Sequence, residues 1–80
     1  MIAEHNTILC KTNGDSHIID LTADVQASVA ESGINTGQAA LLVHGSTAAL
    51  STLEYEPGLV NHDIRTAMER LAPHDAYYKH

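Results

Sequence analysis

Residues 38–44 form the run Gln-Ala-Ala-Leu-Leu-Val-His, and this stretch decides which fold the sequence predicts. A run with almost no polar interruption is typical of a strand buried on both faces of a sheet. Gly45 and Ser46 interrupt the run, so we expect a bend, a bulge or a tight turn at Gly45. Small and β-favouring residues resume at 47–55, which predicts a second strand after the bend.

The N-terminal region predicts a β-hairpin. Residues 7–11 and 17–21 are short β-favouring runs, and Asn13-Gly14 between them is the strongest short hairpin signal. Cys10 lies in the first of these predicted strands. We therefore expect its side chain to pack as a small apolar group.

Two segments predict helices. The first extends from about 23 to 32, with Thr22 as its N-cap and Gly33 after its last turn. The second begins near Pro57 and ends before Pro73, since proline suits a first turn and disfavours a helix before it. Apolar residues recur in this second helix at helical spacing: Val60, Ile64, Ala67, Met68 and Leu71.

The element order β-β-α-β-β-α predicts a single α+β domain over residues 1–80, with a mixed or antiparallel, sandwich-like sheet and two helices. A chain of 80 residues supports one small core, which must be built without Trp or Phe. At least one sheet edge would stay unpaired. Because an unpaired apolar edge invites another chain, we expect a homo-oligomer.

Charge and composition exclude several classes of function. The formal net charge is −6, and the four cations form no stripe that could follow a phosphate backbone, so no nucleic-acid partner is expected. No run approaches the roughly 18 apolar residues of a membrane helix, so no membrane partner is expected either. With one cysteine and no signal-like N-terminus, a cytoplasmic location is predicted.

Acidic residues near the start of the second helix form the first candidate site. Glu54 and Glu56 flank Tyr55, and Asp63 lies about one helical turn past Val60. Carboxylates in such a place can hold a hard cation such as Mg²⁺ that also bridges substrate phosphates. The alternative is that these are ordinary solvated acids of an acidic protein.

The bend after His44 is the second candidate. Ser46 and Thr47 could hold an anion with their hydroxyls and backbone N–H groups. Covalent serine catalysis is disfavoured, because the Gly-x-Ser-x-Gly elbow is not matched around Ser46. The six histidines include no His-x-x-x-His pair, so a metal site would have to combine distant positions.

Beyond these patterns, residues 20–73 (DLTADVQASVAESGINTGQAALLVHGSTAALSTLEYEPGLVNHDIRTAMERLAP) and the following YYKH resemble the YjbQ-like family, described as secondary thiamine-phosphate synthases. The most distinctive pieces are Ser32-Gly33-Ile34 with Gly37, the segment from Gly45 to Glu54, Pro57, Asp63, and Tyr78 with His80. The resemblance implies α+β, sandwich-like domains assembled as homotrimers, with sites near subunit boundaries.

The implied activity is formation of thiamine phosphate from an aminopyrimidine pyrophosphate and a thiazole phosphate, both phosphorylated small molecules. The resemblance assigns His80 a ligand or acid–base role and Tyr78 a supporting one. We therefore expect a divalent metal, Mg²⁺ or Zn²⁺, and the following site. Catalytic and metal-binding residues are Glu54, Asp63 and His80, and ligand-binding residues are Ser46, Thr47 and Tyr78. The alternative is a non-catalytic metal-binding or small-anion-binding module, or a trimeric assembly subunit.

Two departures from the family pattern affect these expectations. Many relatives place a histidine where Gly45 stands, whereas here His44 precedes it and would face the other side of a strand. The chain also resembles only the N-terminal part of the family's domain. We therefore expect a sheet and a site that are incomplete at the C-terminal end.

Overall fold

The computed structural model describes residues 1–80, and all of its regular elements are helical. They are helix α1 (Thr22–Ser32), a π-helical turn (Leu59–Asp63) and helix α2 (Ile64–Leu71). The chain divides into two units, and each combines two separate stretches of sequence. Unit 1 comprises Met1–Lys11 with Asp20–Leu53, and unit 2 comprises Thr12–Ile19 with Glu54–His80.

The predicted α+β fold with a mixed or antiparallel, sandwich-like sheet is wrong, because the structure contains no strand. Residues 35–55, which were expected to supply two strands, make no backbone–backbone hydrogen bond of standard geometry. A strand buried on both faces needs a paired neighbour on each side, and no segment of the chain takes that place. Leu41 and Leu42 are accordingly 50% and 82% exposed.

The predicted hairpin is also absent, although the turn that was expected to close it is present. A two-residue type I′ turn requires positive φ at both central residues, which would be Asn13 and Gly14. The positive φ values instead fall at Gly14 (92°) and Ser16 (59°). The turn closes on itself, because His17 donates its N–H to the Gly14 carbonyl at 3.0 Å and accepts the Asn13 N–H on its ring at 2.9 Å. Without a ladder, Cys10 is exposed rather than packed, contrary to expectation.

Helix α1 confirms the first predicted helix, with a different residue at its N-terminus. Leu21, not Thr22, occupies the N-cap, and its side chain makes no capping hydrogen bond. The Asp20 carboxylate accepts the Thr22 N–H at 2.9 Å and so satisfies one of the unpaired first-turn donors. This hydrogen bonding by Thr22 lowers the pKa of Asp20. At the other end Gly33 has φ 71°, and its N–H bonds to the Ala30 carbonyl.

The second helical segment begins at Pro57, as predicted, and its start is capped by Glu56. The two carboxylate oxygens of Glu56 accept the N–H groups of Gly58 and Leu59, each at 2.9 Å. A negative charge is favourable at this end of a helix because it meets unpaired donors and the positive end of the dipole. The segment ends at Leu71, before Pro73, which confirms the predicted end.

Burial is low throughout the chain. Val60, in the π-helical turn, is the one buried hydrophobic side chain, at 6% exposure. The chain exposes 7625 Å², whereas a folded monomer of this mass exposes about 4,700 Å². Neither helical segment combines the length and the apolar composition that a membrane-spanning helix requires. A single copy of the chain therefore lacks the apolar core that usually stabilises a domain.

The left-handed backbone conformation of Gly33, at the end of α1, can be tested by substitution. A Cβ at Gly33 would meet nothing within 4 Å, so substitution there changes backbone strain alone. We expect Gly33→Ala to destabilise α1 by about 1 kcal/mol, since the left-handed conformation is costly for alanine. Cα chemical shifts of Ala30–Ser32 would measure the loss of helix. Gly33→Asn is the control and should cost less, because asparagine tolerates this conformation; equal losses would contradict the account.

Candidate functional site

The most connected polar side chains of the structure lie in unit 2, around His74. Nδ1 of His74 contacts the Glu69 carboxylate, and Nε2 lies 3.0 Å from Oδ2 of Asp15. Arg65 donates a guanidinium N–H to the backbone carbonyl of Asp15 at 2.5 Å. We call Asp15, Arg65, Glu69 and His74 the His74 cluster. It connects the turn after Gly14, helix α2 and the segment after Pro73.

The contacts within the His74 cluster shift two pKa values. The hydrogen bond and the charge of Glu69, followed by the charge of Asp15, raise the pKa of His74. The His74 backbone N–H, which Glu69 accepts at 2.9 Å, is the main cause of a lowered pKa at Glu69. All these groups are solvent-exposed. The charged forms, an imidazolium and two carboxylates, are the ones that this geometry favours.

The arrangement around His74 suits binding better than proton transfer. A general acid or base needs a ring nitrogen within reach of the substrate. In His74 each nitrogen already has a carboxylate beside it. The cluster borders a cleft of about 430 Å³, and the residues that line it are Asp15, Arg65, Thr66, Glu69, Arg70 and His74.

The predicted anion-binding hydroxyls belong to unit 1. Ser46 and Thr47 lie in the turn that follows Gly45, whose φ of 102° confirms the expected bend. Both side chains are exposed and neither makes a hydrogen bond within the chain. Their proposed role therefore stays a prediction.

The other predicted site residues belong to unit 2 and are exposed. Oδ1 of Asp63 contacts Nδ1 of His62 at 2.9 Å. The Tyr78 hydroxyl donates to the Pro73 carbonyl at 2.8 Å, which folds the C-terminal segment back toward the end of α2. Glu54 and His80 make no side-chain hydrogen bond or ion pair in the chain. The catalytic roles of these residues also stay predictions.

The two expected metals, Mg²⁺ and Zn²⁺, require different sets of protein ligands. No three His, Cys, Asp or Glu side chains gather in a way that could hold a metal ion. Zinc sites use three or four protein ligands. Mg²⁺ is less demanding, since it often binds through one or two carboxylates together with substrate phosphates. Exposed carboxylates such as Glu54 and Asp63 fit that second pattern.

Sequence reasoning missed the His74 cluster. Its members are distant in sequence: Asp15 follows the Asn-Gly turn, whereas Glu69 and His74 lie on either side of Pro73. Asp15 at the turn and His74 just beyond the helix end could each be identified in the sequence, but only separately. Nothing in the sequence indicated that they meet.

Comparison with known proteins identifies one family. The model of the family described as UPF0047 protein YjbQ-like matches residues 6–80. No match was found among curated proteins or solved structures. The family match covers both helices and all of the predicted site residues.

The His74 cluster predicts a pH window for its own contacts. Glu69 contributes to stability fully above its ordinary pKa of 4.5, and this contribution is lost as the pH falls through the lowered pKa of the folded state. His74 contributes to stability fully below its ordinary pKa of 6.5, and this contribution is lost as the pH rises through the raised pKa of the folded state. We expect the Asp15 amide resonance to move with the His74 titration in NMR spectra.

The matched variant for this prediction is His74→Gln, which keeps a polar side chain but cannot be protonated. In this variant the Asp15 amide should no longer respond near neutral pH, whereas the pKa of Glu69 should stay lowered, because the backbone N–H of residue 74 still donates to it. An Asp15 response that survives the substitution would contradict the His74–Asp15 contact.

Proposed function

The chain belongs to the YjbQ-like family, and from this premise we propose that it forms thiamine phosphate. In this reaction the thiazole ring nitrogen attacks the pyrimidine methylene and forms a C–N bond. The C–O bond to pyrophosphate breaks, and the pyrophosphate leaves with the bonding electron pair. Family membership is the observation that supports the proposal, since the resemblance described above implies this activity.

The proposed site uses the exposed carboxylates of unit 2. Glu54 and Asp63 would hold Mg²⁺ that enters with the pyrophosphate, and the metal would neutralise charge on the leaving group. Asp63 keeps one oxygen free of the His62 contact, and Glu54 has no competing partner in the chain. His80 and Tyr78 would contact the substrate from the C-terminal segment. Ser46 and Thr47 belong to unit 1 and stay a separate anion-binding prediction.

We also propose that the working form is a homo-oligomer, a trimer by analogy with the family. Displacement of pyrophosphate benefits from a site that excludes water, but Glu54, Asp63 and His80 are all exposed in one copy. Leu41 and Leu42 expose apolar surface on a run whose backbone has no internal partner. Pairing with a second copy would bury this apolar surface and supply hydrogen-bond partners for the backbone.

Transferase activity is tested by supplying both phosphorylated substrates with Mg²⁺ and measuring thiamine phosphate after oxidation to its fluorescent thiochrome. We expect Glu54→Gln and Asp63→Asn each to lower the rate about a hundredfold, as loss of transition-state charge stabilisation does. The same variants should fail to restore thiamine-independent growth to a synthase-deficient cell. Glu31→Gln, which removes an exposed carboxylate of unit 1, is the control and should keep full activity.

Two results would count against these proposals in different ways. Full activity in both carboxylate variants would remove the proposed site and leave the reaction standing. No product from the unmodified protein would remove the reaction itself. Binding of Mg²⁺ without turnover, measured by calorimetry, would then favour the non-catalytic binding module.

Assembly is tested by light scattering after size-exclusion chromatography, with Leu42→Glu as the variant. Substitution of an exposed residue usually changes stability by no more than about 0.5 kcal/mol. If Leu42 lies in a subunit interface, the new charge should instead convert the oligomer to monomer. Gln38→Glu adds the same charge to the same run without removing an apolar side chain, and should assemble normally. A monomeric unmodified protein would contradict the proposed assembly.

A further inference from the structure

Two arginines in the cleft of unit 2 have no acidic partner. The cleft is lined by Arg65 and Arg70, yet every ion pair in the structure involves a histidine instead. Arg65 donates to a neutral backbone carbonyl, which orients its guanidinium and leaves its charge uncompensated. The Arg70 side chain makes no hydrogen bond or ion pair. The chain has ten acidic residues and four Lys and Arg, so two unpaired guanidiniums in one cleft are unexpected.

His74 explains why the arginines stay unpaired. The carboxylates of the cleft belong to Asp15 and Glu69, and each contacts a nitrogen of His74. When His74 is protonated, the three cationic groups of the cleft outnumber its two carboxylates by one. The cleft is then locally positive within a protein of net charge −6.

We propose that this cleft binds a phosphate-bearing anion through the guanidinium groups of Arg65 and Arg70 and the hydroxyl of Thr66. Guanidinium is planar and carries a fork of donors that matches phosphate oxygens, and the hydrogen bonds to phosphate are charge-assisted. The cleft is open to solvent, and its volume is about 430 Å³. Inorganic pyrophosphate, which offers two phosphate groups to the two guanidiniums, is the probe for this class of anion.

This site goes beyond the proposed function, because it involves none of the residues assigned to the transferase reaction. Those residues are Ser46, Thr47, Glu54, Asp63, Tyr78 and His80. Pyrophosphate binding in the cleft requires neither the organic substrates nor catalysis. The two proposals can therefore fail separately.

The proposed binding should weaken as the pH rises. The groups around His74 are Asp15 from the turn and Arg65, Glu69 and Arg70 from α2. Neighbouring carboxylates raise the pKa of His74, so its imidazolium persists above the ordinary range. Once His74 loses its proton, the two carboxylates balance the two guanidiniums, and the cleft loses its net positive charge and attracts an anion less. Sulfate keeps its own charge over this range and is the suitable probe for the pH dependence.

Calorimetry with inorganic pyrophosphate in metal-free buffer tests the site. We expect Arg70→Gln to weaken binding about tenfold or more, which corresponds to the loss of a charge-assisted hydrogen bond. The Arg70 side chain makes no hydrogen bond or ion pair within the chain, so the variant should keep its helical circular dichroism. Lys11→Gln removes one positive charge from unit 1, outside the cleft, and is the matched control. Its affinity should stay within about twofold of the unmodified protein, because Lys11 does not line the cleft and exposed charges are screened by salt.

A second pair of variants locates the site. Arg65→Lys keeps the charge but not the fork, and should bind pyrophosphate more weakly than the unmodified protein. Glu54→Gln should bind it normally. The proposal is overturned if Arg70→Gln binds with unchanged affinity, if Lys11→Gln loses as much, or if binding is lost in Glu54→Gln but not in Arg70→Gln. It is also overturned if sulfate affinity does not fall with rising pH in the unmodified protein.

Discussion

The imidazole of His74, with a carboxylate beside each nitrogen, is the interaction on which the organisation of unit 2 depends. Through it, Asp15 in an N-terminal turn and Glu69 in α2 meet although 54 positions separate them. A second polar contact, from Arg65 to the Asp15 carbonyl, joins the same two elements. Val60 is the one buried side chain. Polar contacts, rather than an apolar core, therefore determine which segments of unit 2 lie together.

Such contacts specify geometry but add little stability. Exposed ion pairs gain little in water, are screened by salt and restrict mobile side chains. Folding of a domain is driven mainly by apolar burial, which is nearly absent from a single copy of this chain. The exposed run around Leu41 and Leu42 has the composition of a strand interior but no partner strand. This mismatch is the physical basis for the proposed assembly.

The helices could be predicted from the sequence because their determinants are local. Gly33 ends α1, and Pro57 and Pro73 bound the second helical segment, each through the conformation of its own backbone. The turns at Gly14 and Gly45 were likewise predictable. The strands were not, because alternation and β-branching describe a residue that fits a sheet but do not supply the neighbouring strand. The sequence predicted which segments are suited to β-strands, but these segments do not pair with one another in the structure.

The same distinction applies to the sites. Residue types and the family resemblance suggested Glu54, Asp63 and His80, but no local pattern could indicate that Asp15 and Glu69 meet at His74. The contacts of Asp15 and Glu69 with His74 also change what the net charge implies about anion binding. An overall charge of −6 suggests that the protein repels anions. Because Asp15 and Glu69 contact His74 rather than an arginine, the guanidiniums of Arg65 and Arg70 stay unpaired, and the cleft has one net positive charge when His74 is protonated. An acidic chain can thus present a local anion site, since the pairing of its charges matters more than their sum.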